Sequence, residues 1–114
     1  MPHLIIEYSE TTVTDIQVDT MMEAVHQAAV STGLFEEANI KIRAIPLRHY
    51  RLGHESGGFI HAQCRIHEGR SAEQKRQLSE AVLEALCDIP LSVRVTTVEV
   101  VEMDTASYSK RLCK

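Results

Sequence analysis

Residues 59–67 alternate without a break: Ile60, Ala62, Cys64 and Ile66 fall on one side of an extended chain, and His61, Gln63, Arg65 and His67 on the other. A strand of this kind has one apolar face that must be covered. The two segments able to cover it carry the 3.6-residue period of amphipathic helices. In the first, Val18, Met21, Met22, Val25, Ala28 and Ala29 make one stripe that ends near Thr32 and Gly33, where glycine suits a helix C-terminus. In the second, the stripe is Leu78, Ala81, Val82, Ala85, Leu86 and Ile89. It follows the turn Glu68-Gly69-Arg70, begins at a capping box of Ser71 and Gln74, and stops before Pro90.

Three further extended segments complete the pattern: an apolar opening strand over residues 2–8, an alternating strand over 40–44 and a fourth strand over 94–101. The order is βαββαβ, which predicts an α+β two-layer sandwich. Two βαβ units, at about residues 2–48 and 59–102, would build a four-stranded sheet with two helices on one face, followed by a short polar tail at 105–114. Ferredoxin-like domains share this string, and spacing leaves open whether the two strands of a unit are neighbours or are split.

The 114 residues suit one domain, and no linker-like segment divides them. A net charge of −4 with dispersed Lys and Arg argues against a nucleic-acid groove. No run approaches the roughly 20 apolar residues of a membrane span, and the N-terminus lacks a basic segment followed by a long apolar stretch, so a cytoplasmic location is expected. Cys64, Cys87 and Cys113 are odd in number and widely spaced, as reduced thiols are, and Cys64 and Cys87 are expected in the core.

The six histidines do not form a metal pattern. His61 and His67 share a strand face but stand roughly 20 Å apart, too far for one ion. His49 and His54 lie in a loop long enough to fold over a pocket, with no spacing that assigns them a role. No metal is expected on these histidines.

Two features carry chemistry. Pro2 directly follows Met1, and removal of Met1 would leave a secondary amine at the start of a strand. An α-amino group titrates near about 8, and nearby cations and desolvation both favour its neutral form, so it can act as a base. With Met1 attached the same nitrogen is an amide and cannot. The second feature is cationic. Lys41 and Arg43 share one strand face about 6 to 7 Å apart, and Arg70 stands at the mouth of the second helix, where free N–H groups already favour an anion. Alternate cations on a strand also commonly solvate an edge.

The opening Pro2-His3-Leu4-Ile5-Ile6-Glu7-Tyr8-Ser9, the segment Thr32-Gly33-Leu34-Phe35 followed by Ile40-Lys41-Ile42-Arg43, and Gly69-Arg70-Ser71 before a helix occur in a recognisable order. With these motifs the chain resembles the 5-carboxymethyl-2-hydroxymuconate isomerase family of the tautomerase superfamily over nearly its whole length. The resemblance implies a homotrimer of subunits with two βαβ units each, active sites near subunit boundaries, and Pro2 as a catalytic base exposed by methionine removal. It also implies a polycarboxylate substrate: a dienol converted to its α,β-unsaturated ketone, with Lys41, Arg43 and Arg70 as substrate-binding cations. Lys41 stands where the resembled enzymes carry an arginine, and it supplies charge without a planar two-point clamp. The loop between Arg43 and Arg70 and the tail are also shorter than in those enzymes. Other readings compatible with the chain are a proline-based tautomerase with another enol or keto-acid substrate, and a noncatalytic ferredoxin-like ligand-binding domain.

Overall fold

Thr14 and Ser71 start the two helices in the same way. Each side-chain oxygen accepts from a backbone N–H three residues on, at Gln17 and Gln74, and each glutamine returns a bond to the cap's own N–H. The Ser71 box is the one expected from the sequence, and Thr14-x-x-Gln17 is its unread twin. The computed structural model describes residues 1–113. It contains β1 (His3–Ser9), α1 (Asp15–Ser31), β2 (Lys41–Leu47), β3 (Phe59–His67), α2 (Ala72–Cys87) and β4 (Val95–Met103), with short 3-10 turns at Glu37–Asn39 and Thr105–Ser107.

The sheet order is β2-β1-β3-β4. β1 pairs with β2, and β3 with β4, in parallel, while β1 and β3 are antiparallel neighbours. The two strands of each βαβ unit are therefore adjacent, which closes the question that spacing left open. The α+β arrangement with both helices on one face is as expected. Leu4, Ile6 and Tyr8 of β1 and Ile60, Ala62, Cys64 and Ile66 of β3 are buried against Met21, Val25 and Ala29 of α1 and Leu78, Val82 and Leu86 of α2.

Three strands and one side chain differ from expectation. β1 and β4 start one residue later than expected and end one and two residues later, and β2 runs to Leu47 through Pro46. A proline is tolerated there because β2 is an edge strand with a partner on one side only. Cys87 is exposed, because Leu86 takes the inward position at that turn and the next residue lies about 100° further round the helix. Cys64 is in the core, and burial pushes its thiol up to about 12.

The entry into β3 is tightly packed. Buried Ser9 accepts from Phe59 N–H at 3.0 Å and bonds Thr12, and Gly58 lies so close that an added Cβ would collide with the oxygens of both. A side chain is excluded at Gly58 by space.

Candidate active site

Parallel and antiparallel pairing together bring distant segments to one end of the sheet. β1 and β2 begin there, and β3 and β4 finish there. Met1, Pro2, Asn39, Lys41, His67 and the segment after β4 therefore converge.

Pro2 is fully buried, and its carbonyl accepts from Lys41 N–H at 3.0 Å. Met1 caps it. The Met1 amine donates to Asn39 O at 2.9 Å, its Sδ lies 3.3 Å from His67 N–H, and its side chain packs against the core. Burial pushes this amine down from 8.0 to about 5, reinforced by Lys41 and then Lys110. Lys41 Nζ donates to Asn39 O at 3.1 Å, and Lys110 Nζ to Asn39 Oδ1 at 3.3 Å. The Met1 amine and Lys41 Nζ thus share one Asn39 carbonyl oxygen, and Lys110 reaches the side chain of the same residue. A concavity of about 520 Å³ lies elsewhere, between α1 and α2, against Ala24, Ala28, Ala81 and Ala85.

Arg43 lies on the open face of the sheet, on the same side of β2 as Lys41, and donates to His3 Nδ1 at 3.2 Å. A guanidinium has only donors, so His3 Nδ1 accepts and Nε2 carries the proton. Nε2 then donates to Tyr108 Oη at 2.9 Å. Desolvation first, then Arg43 and Lys41, hold the His3 imidazole below its usual value and keep it neutral. Tyr108 is also edge-on to His67, with ring centroids 5.0 Å apart.

Arg70 does not stand free at the mouth of α2. Its Nη2 donates to Leu34 O at 2.6 Å, its guanidinium lies 5.7 Å from the Phe35 ring centroid, and its Nε is buried without a partner among the described residues. The arginine ties the turn after β3 to the segment after α1.

The structure thus brings Lys41 to the N-terminus, joins Arg43 to it through His3, and binds Arg70 to a neighbouring connection. Asn39, Tyr108 and Lys110 were not singled out from the sequence. The only signal for the last two was an aromatic residue inside an otherwise polar tail. His61 bonds Glu99 at 2.6 Å and Thr97 at 2.7 Å, both on β4, while His49 and His54 are exposed. Among the described residues, no three His, Cys, Asp or Glu side chains gather closely enough to hold a metal ion. No helix among them is long and apolar enough to cross a membrane.

Residues 2–109 match the family described as 5-carboxymethyl-2-hydroxymuconate isomerase. No curated protein sequence matches significantly. Among solved structures, a 5-carboxymethyl-2-hydroxymuconate isomerase from Deinococcus radiodurans R1 superposes with a TM-score of 0.81 at 23% identity, covering 96% of this chain and 88% of that one. A 5-carboxymethyl-2-hydroxymuconate delta-isomerase gives 0.80 at 20% identity, covering 99% and 89%. A macrophage migration inhibitory factor-like protein from Entamoeba histolytica gives 0.75 at 10% identity, covering 96% and 95%. These likenesses establish a fold of the tautomerase and migration-inhibitory-factor type.

Proposed function

Since the chain belongs to the 5-carboxymethyl-2-hydroxymuconate isomerase family of the tautomerase superfamily, we propose that it converts 5-carboxymethyl-2-hydroxymuconate to its α,β-unsaturated keto form, with Pro2 as the proton-transfer base. Removal of Met1 gives Pro2 a secondary amine and opens the space that Met1 fills. Neutral Pro2 takes the proton of the substrate's 2-hydroxyl. Electron density moves along the conjugated chain, and the same nitrogen returns the proton to a distant carbon, so no cofactor is needed. Lys41 and Arg43 are assigned to the substrate's carboxylates and to the charge that develops on the dienolate oxygen, and Arg70, whose Nη2 is already given to Leu34 O, to a carboxylate through the guanidinium N–H groups that this bond leaves free.

One observation carries this reading. The amine at the start of β1 is partly buried, faces two lysines, and is pushed down to about 5. The amine of Pro2 would lie one residue further in, on a fully buried ring beside the same cations. Desolvation and nearby cations both favour the neutral form of such an amine, which is the form that acts as a base.

By the same family relationship we assign the protein to cytoplasmic aromatic catabolism, on the homoprotocatechuate route, and to a homotrimer. Exposed apolar Ile45 and Val95 on the open sheet face are consistent with a subunit contact. A sedimentation mass of one chain at working concentration would contradict the trimer.

The test of the activity is the ultraviolet decay of 5-carboxymethyl-2-hydroxymuconate with protein shown by intact mass to begin at Pro2, against spontaneous ketonisation in the same buffer. Acceleration that falls about 10²-fold in Pro2→Ala supports the base. A rate no faster than the buffer rejects this substrate.

A further inference from the structure

We infer that Lys110, carried by the segment after β4, is a carboxylate ligand of this site and works with Lys41 across Asn39, making the site selective for ligands with two carboxylates. The inference rests on the proposed function for the nature of the ligand, and on the following geometry for its place.

The segment after β4 is fastened at three points to the end of the sheet where Pro2 lies. Thr105 Oγ1 is 3.2 Å from His67 Nδ1, Tyr108 Oη accepts from His3, and Lys110 reaches Asn39. An exposed lysine in a polar tail would ordinarily sample a wide volume. Here the anchor at Tyr108, two residues before it, delivers its ammonium to the residue that also receives Lys41.

Among the described residues, no ion pair compensates the charges around Asn39. The ion pairs of the described residues join His26 to Glu37, His61 to Glu99, Lys75 to Glu102, Arg76 to Glu73 and Arg94 to Glu55, and none includes Lys41, Arg43, Arg65 or Lys110. Among the described residues, Lys41 and Lys110 are held by neutral amide oxygens alone. Two ammonium groups gathered on one neutral residue repel each other, and an anion placed between or beside them relieves that repulsion. A single carboxylate has to be shared between the two, whereas a ligand with two carboxylates can give one to each, so the second ammonium adds more for the dicarboxylate. Lysine suits this task because its point charge on a flexible stem adapts to carboxylates of different separation.

The experiment measures binding without turnover. Protein beginning at Pro2 is titrated with glutarate and, separately, with acetate, and binding is followed by chemical-shift changes at Asn39. Lys110→Gln should weaken glutarate binding roughly fivefold and change acetate binding less than about twofold. Lys110→Arg, which keeps the charge, should stay within about twofold of the unaltered protein for glutarate. Lys75→Gln, whose ammonium pairs with Glu102, should bind glutarate as the unaltered protein does. Unchanged glutarate binding in Lys110→Gln overturns the inference, and so does an equal loss in Lys75→Gln, which would trace the effect to net charge. A protein that fails to isomerise the muconate yet shows this glutarate pattern disproves the substrate and supports the Lys110 site.

Discussion

The Arg43 guanidinium lies 3.2 Å from His3 Nδ1 and fixes which ring nitrogen of that histidine carries its proton. His3 is held below its usual value by desolvation, then by Arg43 and Lys41. Arg43→Met should therefore raise the His3 pKa in an NMR titration and let Nδ1 take a proton. The linkage sign follows. Because the unfolded chain binds the proton more readily, His3 lowers stability as pH falls from about 6.5 towards its folded value, with no further change below that. In Arg43→Met this acid-side loss should shrink, read as the change in urea midpoint between pH 7 and pH 5.

The amine environment predicts the pH dependence of catalysis. A neutral amine is the active form, so kcat/KM should fall as pH drops through the Pro2 pKa and level off above it. Lys41 is among the groups that push the N-terminal amine down. Lys41→Gln should move the acid limb of the profile to higher pH, in addition to any loss of binding. A limb at the same pH in the variant would contradict the coupling.

Arg70 joins the turn after β3 to the Leu34-Phe35 segment through one charge-assisted hydrogen bond and one ring contact. Arg70→Ala should cost about 2 kcal/mol in urea unfolding. Arg70→Lys should not restore it, since an ammonium has no planar fork to hold the carbonyl and cover the ring together.

Gly58→Ala should destabilise the protein by about 1–3 kcal/mol by chemical denaturation, because the added methyl meets the Ser9 oxygen that accepts from the first residue of β3 and the Thr12 oxygen bonded to it. Adding Thr12→Ala, which removes the hydroxyl oxygen nearest the added methyl, should recover only part of that loss, since the Ser9 oxygen stays in place.

Legibility followed the range of the interactions. Ser71 with Gln74, the stripe Leu78, Val82 and Leu86, and the alternation of Ile60, Ala62, Cys64 and Ile66 depend on neighbours within a few residues, so the string carries them whatever the rest of the chain does. Lys41 and Arg43 could be placed on one face for the same reason. The pairing of Lys41 with Lys110 could not, because 69 residues separate them, and neither could that of His3 with Tyr108 across 105.

The sequence by itself determined the order of elements, their covered faces and the position of Pro2 at the head of a strand. Periodicity and capping are local, and burial of an amphipathic face follows from the pattern alone. Only the tertiary structure decided that β2 lies beside β1 and β4 beside β3. It alone brought the segment after β4 back to Pro2, and it turned Arg70 away from the mouth of its helix towards Leu34 and Phe35. Those outcomes depend on which strand edges meet in space, and a backbone edge offers the same N–H and C=O groups whatever side chains it carries.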